Sequence, residues 1–551
     1  MKKIFYSLFV AAVALSMVAC KSAEKMAEMA ENVIVKCNPD PMQVIGGKID
    51  VDLNVTYPAD YFDKDAILEV TPVIVYKGGE AKGDIKMYQG EKVENNYKVV
   101  PTAGGTVSEH FTFDYVEGMA QCTFELRGRC STNEGKKWVD LPTKKAADGC
   151  IITETLVCTK GCTADKANDY QAVIISNPEG QVLYKINSAD VRSSEIKGES
   201  VKAFKDAVKE ANENERKQVK SIDVVAYASP DGPEAKNITL SENRSKSADK
   251  AFKNATKKDN NFKGIATEVK SVGEDWEGFQ ELVGNSNIED KDLIVRVLGM
   301  YNDPAVREKE IKNMSSVYQE LAKDVLPQLR RARFIANVEF TNYSDEELLQ
   351  LVKDNIDVLD EEALLKAAEV CQDNNDRINI LKKAVEKYNS ERAQYNLACA
   401  YLKADKIADA KTAIEACNAA DADVKNVKGV IALRNGDWSA AKDCFIESGS
   451  EAAQKNLGAC DIKAGKYADA AAKCGDKGCN AALAQLLNGN VDAALACLGD
   501  CQCPKTNYIR AICLTRQGKV AEAKEALKKA TDADKDLAKR AETDIEFATL
   551  K

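Results

Sequence analysis

Residues 429–470 read GVIALRNGDWSAAKDCFIESGSEAAQKNLGACDIKAGKYADA. Two polar turns, Asn435-Gly436-Asp437-Trp438 and Ala464-Gly465-Lys466-Tyr467, cut this stretch into apolar runs of helix length. The turn recurs upstream as Ala404-Asp405-Lys406-Ile407. It recurs downstream as Asn488-Gly489-Asn490-Val491 and Gln517-Gly518-Lys519-Val520. Aligned on these turns, one position of the second helix falls at Ile380, Ala410, Ala441, Ala470, Ala494 and Ala523, at spacings of 30, 31, 29, 24 and 29. Ala398, Gly429, Gly458, Ala482 and Ala511 hold the facing position in the first helix. Small side chains there let paired helices approach closely. A helix pair cannot bury its apolar face alone, so pairs stack. The pattern predicts six stacked pairs over residues 344–551, an all-α helical-repeat solenoid with a concave face.

Upstream, residues 165–340 mix two periods. Tyr170 to Ile175 and Gln181 to Ile186 read as strands around a turn at Pro178-Glu179-Gly180. Gly198 to Glu213 has helical spacing, with Val201, Phe204, Val208 and Ala211 on one face. A strand from Lys220 to Tyr227, a Pro230-Asp231-Gly232 turn and a helix from Leu240 to Ala255 follow. This order predicts an α/β sandwich. Residues 36–160 are strand-like: Ile49 to Val55 alternates apolar and polar, and Leu68 to Tyr76 is a second strand broken by Gly78-Gly79. Short strands with turn signals every 8 to 12 residues predict a β-sandwich. The chain is therefore expected to be multidomain: N-terminal β-sandwich, central α/β sandwich, C-terminal solenoid.

The first residues speak to location. Lys2 and Lys3 precede the apolar run Ile4 to Val18, about 15 residues, short of the roughly 20 that a spanning helix needs. Residues 1–19 read as a secretory signal peptide and residues 20–35 as an anchor and tether. The run ends Met17-Val18-Ala19-Cys20, which resembles a bacterial lipobox. That resemblance implies acylation of Cys20 and attachment to a membrane by lipid alone. Position 21 is Lys rather than Asp, so nothing resembles an inner-membrane retention signal. The expected location is the outer membrane, facing the periplasm, with surface exposure left open.

Composition narrows the function. Lys+Arg 77 against Asp+Glu 87 leaves a net charge of −10, which disfavours nucleic acid as a partner. His110 is the single histidine, so two-histidine mechanisms are excluded. No Gly-rich phosphate loop precedes a helix, and no catalytic constellation or cofactor motif emerges. The expectation is a non-enzymatic protein, with an enzyme acting on wall material through carboxylates as the rival class.

Eighteen cysteines are more than a core needs. The groups Cys474…Cys479 and Cys497…Cys501-Gln502-Cys503 lack the paired spacing of a zinc ribbon, so no metal is expected. Cys444 and Cys460, and Cys497 and Cys513, are each 16 apart, joining the second helix of one pair to the first helix of the next. Two disulfides are expected there, against the alternative of small apolar fillers, above all at Cys371, Cys399 and Cys417. Arg330, Arg331 and Arg333 mark either a solvated helix end or a face for acidic partners or lipid headgroups.

Three resemblances add to this. The repeats are similar to tetratricopeptide repeats in a trimmed form, which implies a protein partner, here an envelope protein, on the concave face. The stretch Tyr57 to Phe62 through Val73 resembles the N-terminal domain of some Bacteroidetes outer-membrane lipoproteins. Ala226-Tyr227-Ala228-Ser229-Pro230-Asp231-Gly232, followed by Asn237, Leu240-Ser241 and Arg244, resembles the signature of the OmpA-like domain. In that family the arginine grips a carboxylate of peptidoglycan and an aspartate takes the ammonium. The resemblance thus implies peptidoglycan binding by Arg244, with Asp231 and Asn237 nearby. The aspartate position holds Ser229, which carries no charge. Two functions follow: a scaffold that binds peptidoglycan, envelope proteins or both, and an adaptor of a secretion or fimbrial assembly that does not bind the wall.

Overall fold

The computed structural model describes residues 22–132, 135–288, 291–301, 303–313 and 315–550. The expected signal peptide, residues 1–19, and the expected lipidation site Cys20 lie outside the described residues. The chain forms two compact units. One joins the described residues up to Ala167 to those from Asp373 onward; the other is Asn168–Gln372. Among the described residues no helix is long and apolar enough to cross a membrane.

The first unit begins with the β-sandwich. Lys48–Tyr57 alternates exposed and buried residues along its length, as a strand with one face in a core must. It pairs with Gly105–Asp114 from Lys48↔Asp114 to Tyr57↔Gly105. In the second sheet Ile67–Tyr76 pairs with Cys122–Ser131 over its full length. Side chains of both sheets share one apolar core, and Phe113 meets Phe124 edge-on at 5.6 Å between ring centres.

The helical part of this unit opens with Asn374–Tyr388. Five complete pairs follow: Glu391–Lys403 with Ile407–Glu415, Ala422–Arg434 with Trp438–Ser448, Glu451–Lys463 with Tyr467–Lys473, Cys479–Leu487 with Val491–Leu498, and Pro504–Arg516 with Val520–Ala533. The expected register holds: Ile380, Ala410, Ala441, Ala470, Ala494 and Ala523 are all buried. A Cβ on Gly429 would lie 2.5 Å from the Phe445 ring, so only glycine permits that approach. The inter-helix turns need a left-handed residue, supplied by Gly436, Gly465, Gly489 and Gly518, and in the first turn by Asp405 at φ 60°. The sixth expected pair is divided, because Glu361–Val370 belongs to the other unit and Asn374–Tyr388 to this one.

The second unit is the α/β sandwich. Lys217–Ala228 pairs antiparallel with Arg331–Thr341 and parallel with Ala266–Glu274. Helices Glu199–Glu213 and Glu234–Thr256 bury Phe204 and Phe252 against Phe334 of the sheet. Val173–Ser176 and Glu179–Leu183 are not a hairpin. Each pairs with a different part of Arg331–Thr341, because the Asn177-Pro178 corner steps the chain along the same edge. Phe279, Val283, Leu321 and Leu329 form a separate small helical core. Asp345–Asn355 opens on the acidic turn Asp345-Glu346-Glu347, which suits a helix N-terminus, with a capping box between Ser344 and Glu347.

Candidate functional site

The first helices of the five pairs share a feature the sequence reading missed. Asn396, Asn426, Asn456, Asn480 and Asn507 recur at close to the repeat spacing, and four of them are at most 5% exposed. A buried amide must find partners, and the chain's own residues 158–166 supply them. Asn480 Oδ1 accepts from the Cys158 N–H at 2.7 Å, and its Nδ2 donates to Cys158 O at 2.9 Å. Asn456 grips Cys162 in the same way, at 2.7 and 3.0 Å. Asn396 grips Lys166, at 2.7 and 2.9 Å. Asn426 donates to Cys162 O at 2.9 Å and accepts from Asn456 Nδ2 at 2.8 Å. Asn507 turns to its own loop and donates to Gln502 O.

The side-chain amide suits this work: its donor and acceptor match the C=O and N–H of one extended residue. The gripped residues Cys158, Cys162 and Lys166 are four apart, Asn426 and Asn456 of neighbouring repeats share Cys162, and the segment runs opposite to the order of the repeats. Between rungs Arg434 Nε and Nη2 both donate to Lys160 O, at 2.9 and 2.8 Å. Tyr395 OH donates to Ala164 O at 3.0 Å. At the end of the segment Lys166 Nζ pairs with Asp421 at 2.9 Å and Asp423 at 2.8 Å. Asp165 pairs with Arg377 at 2.6 Å and Lys403 at 3.3 Å. The Lys166 ammonium holds the Asp421 carboxyl below the usual carboxylate range. This face of the first helices thus holds the chain itself.

Glu154 fixes the other end. It is 2% exposed. Its carboxylate accepts from the Gly46 and Gly47 N–H groups of the sandwich, at 2.7 and 2.9 Å, and from Tyr467 OH of the repeats at 2.7 Å. Burial first, and then the hydrogen bond to Glu154, push the Tyr467 hydroxyl up. One carboxylate therefore ties the sandwich to the repeats.

In the α/β unit, Ser229, Asp231 and Asn237 come together around one turn. Ser229 Oγ donates to Asp231 Oδ1 at 2.7 Å, and Asn237 Nδ2 donates to Ser229 O, Gly232 O and Glu274 Oε1. Arg330 pairs with Asp231 at 2.9 Å and donates to Ser229 Oγ at 3.2 Å. Arg244 is 1% exposed. Its Nε, Nη1 and Nη2 donate to the carbonyls of Ser188, Tyr227 and Lys185 at 3.0, 2.9 and 3.3 Å. Its guanidinium stacks 5.0 Å from the Tyr184 ring centre, and burial pulls its pKa down to about 10. The sequence motif is assembled, but every charged group in it has a partner within the unit. Arg331 and Arg333 are likewise paired, with Asp275 and Glu179.

The expected disulfides are corrected. Cys444, Cys460, Cys497 and Cys513 are free thiols. The Cys444 Cβ stands 3.1 Å from where a Gly429 Cβ would be, against the first helix of its own pair. Cys399 and Cys513 are fully buried and behave as small apolar fillers. Burial pushes each of these two thiols up to about 12.

No protein-family model matches the chain, and no curated protein matches it. Among solved structures, a tetratricopeptide repeat protein from Parabacteroides merdae is similar at 12% identity, over 36% of this chain and 91% of that one, with a TM-score of 0.29.

Proposed function

We propose that the chain is a non-enzymatic cell-envelope lipoprotein, held by lipid on Cys20 at the outer membrane, that works as a protein-binding scaffold. The observation that carries this reading is the asparagine ladder, in which Asn396, Asn426, Asn456 and Asn480 hold extended main chain. Its hydrogen bonds to the segment go to N–H and C=O groups, so it reads backbone, with Lys166 adding side-chain selectivity through Asp421 and Asp423. The resident segment ties the β-sandwich and the repeats into one body, which suits an adaptor between envelope proteins.

Peptidoglycan is the weaker ligand under this reading. The OmpA-like motif favours it, but Arg244 already has three backbone carbonyls and Asp231 already has Arg330.

The test replaces residues 157–167 by a Gly/Ser linker of equal length and offers a synthetic peptide of the native segment. Circular dichroism first establishes that the variant is folded. Saturable binding, weakened at least tenfold by Asn456→Ala, supports the reading. A folded variant that takes no peptide overturns it. In parallel, wild-type protein is expected in the unbound fraction with purified sacculi. Retention abolished by Asp231→Asn would instead restore the wall as ligand.

A further inference from the structure

The start of helix Pro504–Arg516 gathers three thiols around one buried hydroxyl. Cys503 caps the helix: its Sγ accepts from the Thr506 N–H at 3.4 Å and lies 2.8 Å from Thr506 Oγ1. Cys479 Sγ lies 3.0 Å from the same Oγ1 and 3.8 Å from Cys503 Sγ. Thr506 Oγ1 also reaches Cys501 Sγ at 3.5 Å. Thr506 is buried, whereas Cys501 and Cys503 are exposed and Cys479 is half-buried. Reagents therefore reach the sulfurs while the group that organises them stays fixed. The helix is 13 residues long, and its N-terminal partial positive charge faces Cys503.

Burial raises the Cys503 thiol, but hydrogen bonds from Thr506 and from the Cys501 and Cys479 thiols outweigh it and hold Cys503 below the usual thiol range. Burial pushes Cys479 up to about 11. An exposed nucleophilic sulfur thus sits beside a less acidic one that can attack it in turn. Cys399 and Cys513, fully buried, offer no such exposure.

We propose that Cys479 and Cys503 form a reversible dithiol–disulfide pair that exchanges with an external disulfide, a low-molecular-weight one or one on a partner protein. The Cys503 thiolate attacks one sulfur of the external disulfide. The bond from Cys503 to that sulfur forms, the external S–S bond breaks, and the released thiolate takes up a proton. Cys479 then loses its proton and attacks Cys503 Sγ. The Cys479–Cys503 bond forms, and the second external thiolate leaves and is protonated. Two cysteine thiols have lost two electrons and two protons, and one external disulfide has become two thiols. The sulfurs must close from 3.8 Å to the bond length of about 2.05 Å, which a small rotation at two helix starts supplies. The product staples the first residue of Cys479–Leu487 to the cap of the next first helix, so the oxidation state sets the freedom of that repeat junction.

The test uses the reduced full-length protein and glutathione disulfide at neutral pH, quenched with acid and alkylated. Cleavage before Asp492 and Asp500 places Cys479, Cys497 and Cys503 on three different peptides. The expected product is a Cys479–Cys503 linkage that dithiothreitol reopens. Cys479→Ser is expected to accumulate glutathione on Cys503. Iodoacetamide labelling at pH 7 is expected to run about tenfold faster at Cys503 than at Cys501, with a midpoint below the ordinary value of about 8.5. A linkage from Cys503 to Cys501 or Cys158, or equal labelling of Cys501 and Cys503, overturns the proposal. These two measurements need no variant to fold.

Discussion

Gly161 lies directly against Val430: a Cβ added to the glycine would stand 2.6 Å from Val430 Cγ2, and its φ is +74°. Both facts forbid a side chain. Gly161→Ala is expected to destabilise the first unit by about 1–3 kcal/mol, read as a shift in the denaturant midpoint. Val430→Ala in the same chain relieves the clash and should recover part of the loss. A midpoint unchanged by Gly161→Ala would show that the segment does not sit in the groove.

Asn456 is the most connected rung, bound to Cys162 through both its oxygen and its nitrogen and to Asn426 through a further N–H. Asn456→Ala leaves the Cys162 amide without its acceptor and the Cys162 carbonyl with Asn426 alone. The expected cost is about 2 kcal/mol, together with faster amide exchange across residues 158–166 in hydrogen-exchange mass spectrometry. Exchange that stays as slow as in the wild type would remove Asn456 from the ladder.

Glu154→Gln keeps the volume of the Glu154 side chain but puts an N–H₂ where an oxygen accepts. At least one donor among Gly46, Gly47 and Tyr467 then loses its acceptor. The sandwich and the repeats are expected to melt in two calorimetric transitions in the variant and in one in the wild type. A single transition in both would refute the junction.

The Lys166–Asp421 pair makes a prediction about pH. The folded pKa of Asp421 is depressed, chiefly by its hydrogen bond from Lys166. Its stabilisation is therefore complete above the unfolded-state value of about 3.9 and is lost as pH falls through the lower folded value. The difference in Tm between wild type and Asp421→Asn should be constant from about pH 8 to 5 and close below about pH 4. A difference that persists undiminished at pH 3 contradicts the pairing.

Arg244→Lys tests whether the guanidinium is structural. One ammonium cannot reproduce the three-way geometry to Ser188, Tyr227 and Lys185. The expected loss is about 3 kcal/mol in the second unit, read from its melting. A fully stable variant would mean that Arg244 is free for a ligand.

The periodic parts of the fold were legible and the long-range parts were not. Alternation from Ile49 to Val55 and the small-residue register from Ala410 to Ala523 describe how an element buries its own face, which neighbouring residues decide. The edge pairing of Val173–Ser176 and Glu179–Leu183 depends on a strand that begins at Arg331, so proximity in sequence misled. The cysteine pairs failed because a spacing of 16 fixes which helices carry the sulfurs but not which way each one turns. The asparagines were visible as a period, yet a polar residue on a helix reads as solvated until something is known to lie across it. Residues 157–167 have too little pattern of their own to announce that they are that something.

The groove contacts also order events during synthesis. Lys166 meets Asn396 across 230 residues of chain and Cys158 meets Asn480 across 322. As translation proceeds, the segment leaves the ribosome long before the helices that will hold it. The contiguous stretch Asn168–Gln372 emerges in between and can complete its sheet first. The strap must then wait, solvated, until the repeats arrive one after another, and loop closure over such separations is slow. The unit's maturation is therefore timed by its C-terminal half: a chain stalled near residue 390 would carry a finished α/β body and an unclaimed strap.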